Sequence, residues 1–264
     1  ILGGTALDRL RNMIQTSDGG YALIGDTKSN DSDVTGHHDT TWTDAWVVKL
    51  DSQGTVEWSR CIGGTSYDYG YGIVQMNDGS YWTTGEMSSS DFDGVGNHGY
   101  ADFFAARLDS AGNVTFVRLY GGSDQDFGRG ILKSGDNLVL YGFGGSSNGD
   151  VVGHINYYDY WILCIDTSGT ILWQKCLGGT GNEGVYDGAV VPGGYLFTGY
   201  SESNNVNVSG NHGDHDAWAI RTDSTGNLVW QVCLGGTAQD DGYALVPLDN
   251  GKYLTAVHAF SSDG

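Results

Sequence analysis

Acidic and amide side chains recur at fixed spacing in a polar stretch that the chain repeats four times. In the first copy, Asp31 and Asp33 are two residues apart, Gly36 comes three residues after the second, and Asp44 precedes an apolar run. Calcium takes roughly six to eight oxygen ligands, and alternate residues of a curved loop direct their side chains inward. The spacing therefore predicts a calcium loop, with candidate ligands Asp31, Asp33, Asp44, Asp91, Asp93, Asp102, Asn148, Asp150, Asp159, Asn205, Asn207 and Asp216.

The same side chains have a second interpretation. Asp and Asn oxygens also accept hydrogen bonds from amides of their own loop, as in Asx-turns. The fourth copy keeps one carboxylate, Asp216, at its three positions, so we expect its calcium site to be the weakest and those of the two fully acidic copies to be the best. Asn suits a neutral oxygen ligand but not a general acid or base, so the pattern does not indicate catalysis.

Two further polar positions recur once per copy. His38, His98 and His212 align, with His37 and His154 one residue earlier, but one imidazole per copy does not make a zinc cluster. We predict hydrogen bonds from these rings to the loop backbone. The other position is acidic and is predicted to bond backbone amides that bridge adjacent copies, or alternatively to complete a cation shell; it holds Asp8, Asp68, Asp126, Glu183 and Asp240.

A period of about 58 residues organises the whole chain. Gly-Gly pairs begin at residues 3, 63, 121, 178 and 235, and each copy reads as four short strands with two tight hairpins and one long polar loop. Four strands at such a period are typical of a β-propeller blade. The sequence predicts an all-β propeller of four-stranded antiparallel blades with at least five blades. The copies span 7–62, 65–120, 123–177 and 180–234, with a partial copy at 237–264 and the end of a preceding strand at 1–4.

The blade model places the long loops. In a four-stranded meander, the loop between the second and third strands and the link between copies share one face, and the short turns lie on the other. A scaffold that elaborates one face usually displays a binding surface there. Large rings at the start of the third strand and within the fourth are predicted to pack between blades. Candidates for sugar stacking lie instead in or near the loops, at Tyr67, Tyr69, Tyr100, Tyr157 and Tyr158.

Composition excludes some partners and indicates others. The net charge is −20, with only 12 Lys and Arg, which opposes nucleic-acid binding and favours cations. No apolar run of about 18 residues predicts a membrane span. The four cysteines are interpreted as small buried hydrophobic residues rather than disulfides. Both ends fall inside a repeat, so we expect a piece of a longer protein.

The repeat pattern resembles a known group. The motif GGTxxDxxxxIxxTxDGGYxxxGxTxSxDxDVxGxHxxxxDxWVVKLDxxGxxxW is similar to the tandem β-propeller repeats of large bacterial secreted and cell-surface proteins, many of which carry type IX secretion sorting tails. The resemblance covers the whole chain. It implies secretion and a role in adhesion, binding or scaffolding, and it implies no catalytic residue. The third copy departs from the motif, with SGDNLVLYG in place of the DGGY segment.

Two function classes remain open from the sequence. The first is a non-enzymatic extracellular module with calcium-stabilised loops, which binds glycan or protein at the cell surface or like subunits in a fibre. The second is a polysaccharide hydrolase or lyase that uses the same face, since acids are plentiful. Because no nucleophile, base and acid set stands apart from the repetition, the sequence favours the first.

Overall fold

The computed structural model describes residues 2–39, 41–249 and 251–263. These residues form eighteen β-strands and one 3-10 helix, Phe92–Gly94. The strands are β1 (Asp8–Gln15), β2 (Tyr21–Thr27), β3 (Asp44–Leu50), β4 (Val56–Ile62), β5 (Asp68–Gln75), β6 (Tyr81–Met87), β7 (Asp102–Leu108), β8 (Val114–Tyr120), β9 (Asp126–Ser134), β10 (Asn137–Gly144), β11 (Asp159–Ile165), β12 (Ile171–Leu177), β13 (Glu183–Val191), β14 (Gly194–Ser201), β15 (Asp216–Asp223), β16 (Leu228–Leu234), β17 (Asp240–Pro247) and β18 (Tyr253–Ala259).

The chain divides into two compact units, residues 1–133 and 134–264. The first contains two antiparallel four-stranded sheets, in the orders β1-β2-β3-β4 and β5-β6-β7-β8. The second contains the sheet β13-β14-β15-β16, the adjacent strands β10, β11 and β12, and the hairpin β17-β18. The sequence prediction of an all-β protein built from four-stranded antiparallel blades of the propeller class is confirmed.

Short hairpin turns depend on glycine at a left-handed position. Gly19, Gly54 and Gly79 have φ of 85°, 83° and 83°, values that L side chains rarely adopt. Each follows an acidic residue and a small polar or amide residue in a turn that joins consecutive strands tightly. Short turns at one end of a sheet leave the long loops, between the second and third strands of each copy, at its other end.

The second and third strands of each sheet form its core. Every residue of β3, β6 and β11 is buried, because both faces of these strands are covered. The rings at the start of the third strands, Trp46, Phe104, Trp161 and Trp218, are fully buried. In the first unit the fourth-strand ring of Trp58 lies 5.6 Å from Tyr81 of the next sheet, centre to centre. The third-strand rings pack in the core as predicted, whereas the fourth-strand rings Trp58, Phe116 and Trp173 are partly exposed and Trp230 is 37% exposed.

The first strand of each sheet carries a bulge at one repeat position. Pairing of β1 with β2 skips Arg11, and pairing of β5 with β6 skips Tyr71. In the second unit the skipped residues are Tyr186 on β13 and Tyr243 on β17. A bulge leaves one residue outside the ladder and redirects its side chain. Large side chains therefore leave the sheet at equivalent points.

No disulfide joins the four cysteines, all of which lie among the described residues. Cys61, Cys164 and Cys233 are buried as predicted, and Cys176 is partly exposed. In the part of the chain that the structure describes, no helix is long and apolar enough to cross a membrane.

Candidate binding site

The first two acidic positions of the long loop fasten it to the link that precedes the same sheet. Asp31 accepts hydrogen bonds from the backbone N–H of Thr5 at 2.9 Å and from its hydroxyl at 2.7 Å. Asp33 accepts one from the N–H of Gly3 at 3.2 Å. We call this arrangement the clasp. It ties residues 3–5 to the start of the long loop without any added ligand.

The clasp recurs with the same atoms in other copies. Asp91 accepts bonds from the N–H and hydroxyl of Thr65 at 2.9 and 2.7 Å, and Asp93 accepts one from Gly63 at 3.2 Å. In the second unit, Asn205 accepts a bond from Thr180 N–H at 3.0 Å and donates one to its hydroxyl at 2.9 Å. The amide of the fourth copy thus reproduces both bonds that a carboxylate makes in the first two.

The residue between the two clasp positions has a left-handed backbone in every complete copy. It is Ser32 (φ 57°), Phe92 (φ 47°), Gly149 (φ 68°) and Val206 (φ 59°). This conformation is costly for a bulky or β-branched residue. It bends the loop so that both flanking side chains of the clasp reach the link, while Phe92 and Val206 remain exposed.

The acidic position of the link bonds link amides, as predicted. Asp8, Asp68, Asp126, Glu183 and Asp240 each accept a hydrogen bond from a glycine N–H four residues earlier, at 2.7 to 2.9 Å. Asp68 also accepts bonds from Ser88 and Ser89, at the start of its own long loop. The link, the first strand and the loop are therefore one hydrogen-bonded structure.

The third acidic position of each loop starts the third strand and is buried. Asp44, Asp102 and Asp216 each accept a hydrogen bond from a histidine Nδ1, at 2.7, 2.6 and 2.6 Å. The predicted backbone partner is wrong for these three rings, His38, His98 and His212, since a buried carboxylate attracts the ring N–H more strongly than a carbonyl does. His154 does bond a backbone carbonyl, that of Tyr157, at 2.7 Å.

One oxygen of each of these buried carboxylates has no hydrogen-bond partner among the described residues: Oδ1 of Asp44, Asp102, Asp159 and Asp216. In the first unit, Oδ1 of Asp44 and Oδ2 of Asp68 lie 2.8 and 2.6 Å from the point where a Cβ on Gly63 would sit. Two buried carboxylates therefore face each other across the link glycine. The buried ring of His37 lies 3.9 Å from the same Asp44 oxygen.

Burial raises the pKa of three of these carboxyl groups, those of Asp44, Asp102 and Asp159. It raises the pKa of Asp44 and Asp102, and the histidine that bonds each of them opposes the rise. Burial, reinforced by the nearby Glu183 carboxylate, raises the pKa of Asp159 to about 6. Ile155 stands where the other copies have the bonded histidine; its N–H donates to Asp159 at 2.6 Å, and the His154 ring lies 3.9 Å from the same oxygen. Asp159 thus lacks the direct histidine hydrogen bond that offsets the free-energy cost of burying the carboxylates of Asp44, Asp102 and Asp216.

The predicted calcium ligands do not gather into coordination shells in this arrangement. Asp31 and Asp33 belong to the exposed clasp, whereas Asp44 is buried beneath it and bonded to His38. In the third copy the Gln174 side chain donates to the Asp150 carbonyl, and the Asn148 carbonyl accepts from the Val151 N–H as the equivalent carbonyls do in the other copies. Within 2–39, 41–249 and 251–263, no three His, Cys, Asp or Glu side chains are grouped to hold a metal ion. Calcium binding stays a prediction.

The bulges of the first unit assemble a row of arginine and tyrosine side chains. The guanidinium carbon of Arg11 lies 4.5 Å from the centre of the Tyr71 ring, and that of Arg129 lies 4.3 Å from it. Such distances give cation–π attraction on a tyrosine ring. Three basic side chains of this acidic protein, Arg9, Arg11 and Arg129, therefore lie around two neighbouring rings, Tyr69 and Tyr71.

Buried acids position these arginines. Arg9 and Arg11 donate from Nε to the two oxygens of Asp26 on β2, at 2.9 and 2.7 Å, and Asp26 is fully buried. Arg129 donates to Glu86 on β6 at 3.1 Å, and burial raises the pKa of Glu86 while Arg129 opposes that rise. The sequence pattern did not predict this cluster. Its signal was a large residue three positions after each link acid, which strand alternation alone does not reveal.

The second unit presents rings at equivalent positions. Tyr186 and Tyr243, both at bulges, stack at 4.9 Å between centres with an interplanar angle of 10°. Tyr200 lies 5.8 Å from Tyr186, and His215 lies 4.8 Å from Tyr200. This cluster is aromatic, whereas that of the first unit combines aromatic and charged groups.

The predicted stacking candidates differ in exposure. Tyr67 is 39% exposed, lies edge-on to Trp42 at 4.5 Å and stacks on Tyr69 at 6.0 Å. Tyr100 and Tyr157 are 71% and 64% exposed at the ends of their long loops. Other large apolar side chains exposed on long loops are Phe92, Val95, Val152 and Val206. The long loops thus show apolar groups to solvent, and in the second and fourth copies the clasp holds the loop backbone.

Comparison with known proteins finds limited likeness. No family model matches the chain. The regulatory protein FlaEY of Caulobacter vibrioides is 25% identical over 226 residues, which cover 76% of this chain and 23% of that protein. The chain therefore spans about a quarter of the length of this relative.

Solved structures are similar at low identity. A protein of unknown function from Bacteroides caccae aligns over 88% of this chain and 69% of its own, at 10% identity and a TM-score of 0.48. BamB from Moraxella catarrhalis aligns over 92% of this chain and 60% of its own, at 14% identity and a TM-score of 0.44. A putative 6-phosphogluconolactonase from Bacteroides uniformis aligns over 89% of this chain and 60% of its own, at 13% identity and a TM-score of 0.48. This chain thus spans less than two thirds of the length of BamB and of the 6-phosphogluconolactonase-like protein.

Proposed function

We propose that this chain is a non-enzymatic extracellular binding module that holds glycan on its long loops and on the bulged first strands. The observation that carries the proposal is the set of large side chains, Phe92, Tyr100 and Val206, exposed on loops whose backbone is fixed by the clasp. A preorganised surface loses little conformational entropy when a ligand binds. Exposed apolar groups on fixed loops are the usual mark of a binding surface.

The exposed rings favour glycan as the ligand. A pyranose ring offers an apolar C–H face with polar hydroxyl groups at its edge, and a tyrosine ring offers a flat apolar face with one polar tip. Tyr67, Tyr100 and Tyr157 have the exposure that such stacking needs. The proposed function does not require calcium, because hydrogen bonds alone hold the clasp. Extracellular location enters the proposal from the resemblance of the repeat to secreted proteins.

A polysaccharide hydrolase or lyase is the second candidate. The observation in its favour is the pair of buried acids in the first unit, Asp26 and Glu86, of which Glu86 has a raised pKa. Each of these acids is bonded to arginine, which favours the ionised form and a positioning role over proton transfer. We therefore rank the hydrolase or lyase below the binding module as a candidate function.

A combined binding and turnover assay tests the proposal. The chain is incubated with a panel of immobilised bacterial and plant polysaccharides, and bound protein and released reducing ends are measured together. We expect retention on one or more polysaccharides without release of sugar ends. Tyr67→Ala and Tyr100→Ala should weaken retention, whereas Tyr21→Ala, at a hairpin, serves as the control. Release of reducing ends that is lost in Glu86→Gln would support the hydrolase instead.

A further inference from the structure

Two arginines of the first unit are held with their outer nitrogens directed away from their common acid. Arg9 and Arg11 both contact Asp26 through Nε, so neither forms the two-pronged pair with a carboxylate that guanidinium favours. Within the described residues, the η nitrogens of Arg9 and Arg11 donate no hydrogen bond. The two side chains are 45% and 27% exposed. These donors are open to an incoming anion.

Neighbouring rings fix the two guanidinium groups. Arg9 and Arg11 lie 5.9 and 5.7 Å from the centre of Tyr69, and Arg11 also lies over Tyr71. Arg9 pairs with Asp26 in the ladder, and the bulge at Arg11 leaves this residue outside the ladder and redirects its side chain. Arginine held at Nε and stacked on rings has already lost much of its rotamer freedom before a ligand arrives.

The charge around this pair selects the kind of anion. The net charge of −20 repels densely charged polyanions over long range, which opposes nucleic acid and highly sulfated chains as ligands. Locally, Arg9, Arg11 and Arg129 outnumber the acids Asp26 and Glu86 that they contact. A site with one surplus positive charge in an acidic protein matches a ligand that carries isolated carboxylates.

A strip of rings leads from the loop to the arginines. Trp42 contacts Tyr67 edge-on, Tyr67 stacks on Tyr69 with an interplanar angle of 14°, and Tyr69 lies beneath Arg9 and Arg11. A sugar unit on the exposed ring of Tyr67 would place the next unit toward the guanidinium pair. This favours a saccharide over an acidic peptide, which needs no row of flat rings.

We propose that Arg9 and Arg11 bind the carboxylate of an acidic saccharide whose neighbouring sugar packs on Tyr67. The inference rests on the proposed glycan-binding function and specifies its ligand as a sparsely charged, uronic-acid-containing chain. The η nitrogens of both arginines donate to the carboxylate oxygens, and Asp26 acts as a positioning residue. No bond is made or broken in the ligand.

Calorimetric titration with matched ligands tests this site. The probes are an oligosaccharide with one terminal uronic acid, its methyl ester, and a peptide with one carboxylate. We expect the free acid to bind about tenfold more tightly than the ester, the typical effect of one charge-assisted hydrogen-bond pair. In the double variant Arg9→Lys and Arg11→Lys this preference should weaken, because an ammonium group attracts the carboxylate without the paired hydrogen bonds of guanidinium, while affinity for the ester stays unchanged.

The choice of variants distinguishes a loss of folding from a loss of carboxylate binding. Lysine retains a positive charge beside Asp26, and melting curves report whether the double variant is folded. Arg118→Lys, on β8 and exposed, is the matched control and should keep the preference. Equal binding of acid and ester by the wild-type chain overturns this inference but leaves glycan binding intact. Binding of neither saccharide overturns both, and tighter binding of the peptide overturns the saccharide assignment.

Discussion

Asp159 differs from its counterparts in the other copies in one contact. Asp44, Asp102 and Asp216 each have a histidine bonded to one carboxylate oxygen, whereas the corresponding oxygen of Asp159 accepts the N–H of Ile155 and lies 3.9 Å from the ring of His154. Its other oxygen is buried without a partner among the described residues. A buried carboxylate with so little compensation holds its proton to higher pH, which is why its pKa rises to about 6.

This shift makes the folding stability depend on pH. The unfolded chain releases the Asp159 proton near the ordinary pKa of 3.8, whereas the folded chain keeps it to about 6. The contribution of Asp159 to the free energy of unfolding is therefore fully present below pH 4. It decreases by on the order of 2–3 kcal/mol as the pH rises through 6. Urea unfolding of the wild-type chain should show this loss between pH 4 and 7.

The variant Asp159→Asn isolates that contribution. It cannot ionise, so its urea midpoint should change less between pH 4 and 7 than that of the wild-type chain. Asp136→Asn, at an exposed hairpin, is the control and should follow the wild-type profile. Identical pH profiles for Asp159→Asn and the wild-type chain would show that Asp159 ionises normally in the folded state.

Single residues were predictable from the sequence when their role is local. The spacing of Asp31 and Asp33 indicated side chains that share a target, and the structure gives them one, the link of residues 3–5. The identity of that target was not readable, because the link lies 26 to 30 residues earlier in the chain. The pairing of His38 with Asp44 was missed although the two are close in sequence, because it depends on the burial of Asp44, which the tertiary packing sets.

At the scale of the element, the bulge in each first strand depends on a glycine in the second strand. A Cβ on Gly25 would collide with the carbonyl of Arg9, one on Gly85 with that of Tyr69, and one on Gly199 with that of Gly184. The backbone of the first strand therefore approaches the second more closely than a side chain permits. Strand alternation indicated β1 and β5 but gave no sign of an extra residue within them.

Replacement of such a glycine should break the bulge. Gly85→Ala puts a methyl group against the backbone oxygen of Tyr69, which cannot rotate away, so we expect a loss of about 3 kcal/mol or more in unfolding free energy. Gly54→Ala is the control: its site has open space but a φ of 83°, and it should cost only about 1–2 kcal/mol. Urea unfolding measures both. Equal losses would mean that the bulge yields to the methyl group at little cost.

At the scale of the whole molecule, the period of the sequence was sufficient to predict the fold. Four strand patterns per copy, separated by glycine turns, specify four-stranded antiparallel sheets because each tight turn allows only antiparallel neighbours. The candidate site was less predictable, since it depends on which side chains from β1, β5 and β9 come together. Repetition conceals such a site, because the residues that differ between copies are the ones that form it.

The spacing of acidic and amide residues in the long loops led to the calcium prediction, and chelation tests it. Because the oxygens of Asp31 and Asp91 already accept bonds from link N–H and hydroxyl groups, we expect EDTA to leave the melting temperature unchanged. Asp31→Asn and Asp91→Asn should also melt like the wild-type chain, since Asn205 makes the same two contacts with its own link threonine. Asp31→Ala, which removes both contacts, is the matched comparison and should melt at a lower temperature. Ion binding by the loops would instead be established if EDTA lowered the melting temperature, if calcium but not magnesium restored it, and if the Asn variants lost this response. Magnesium is the discriminating ion because it requires a tighter octahedral shell.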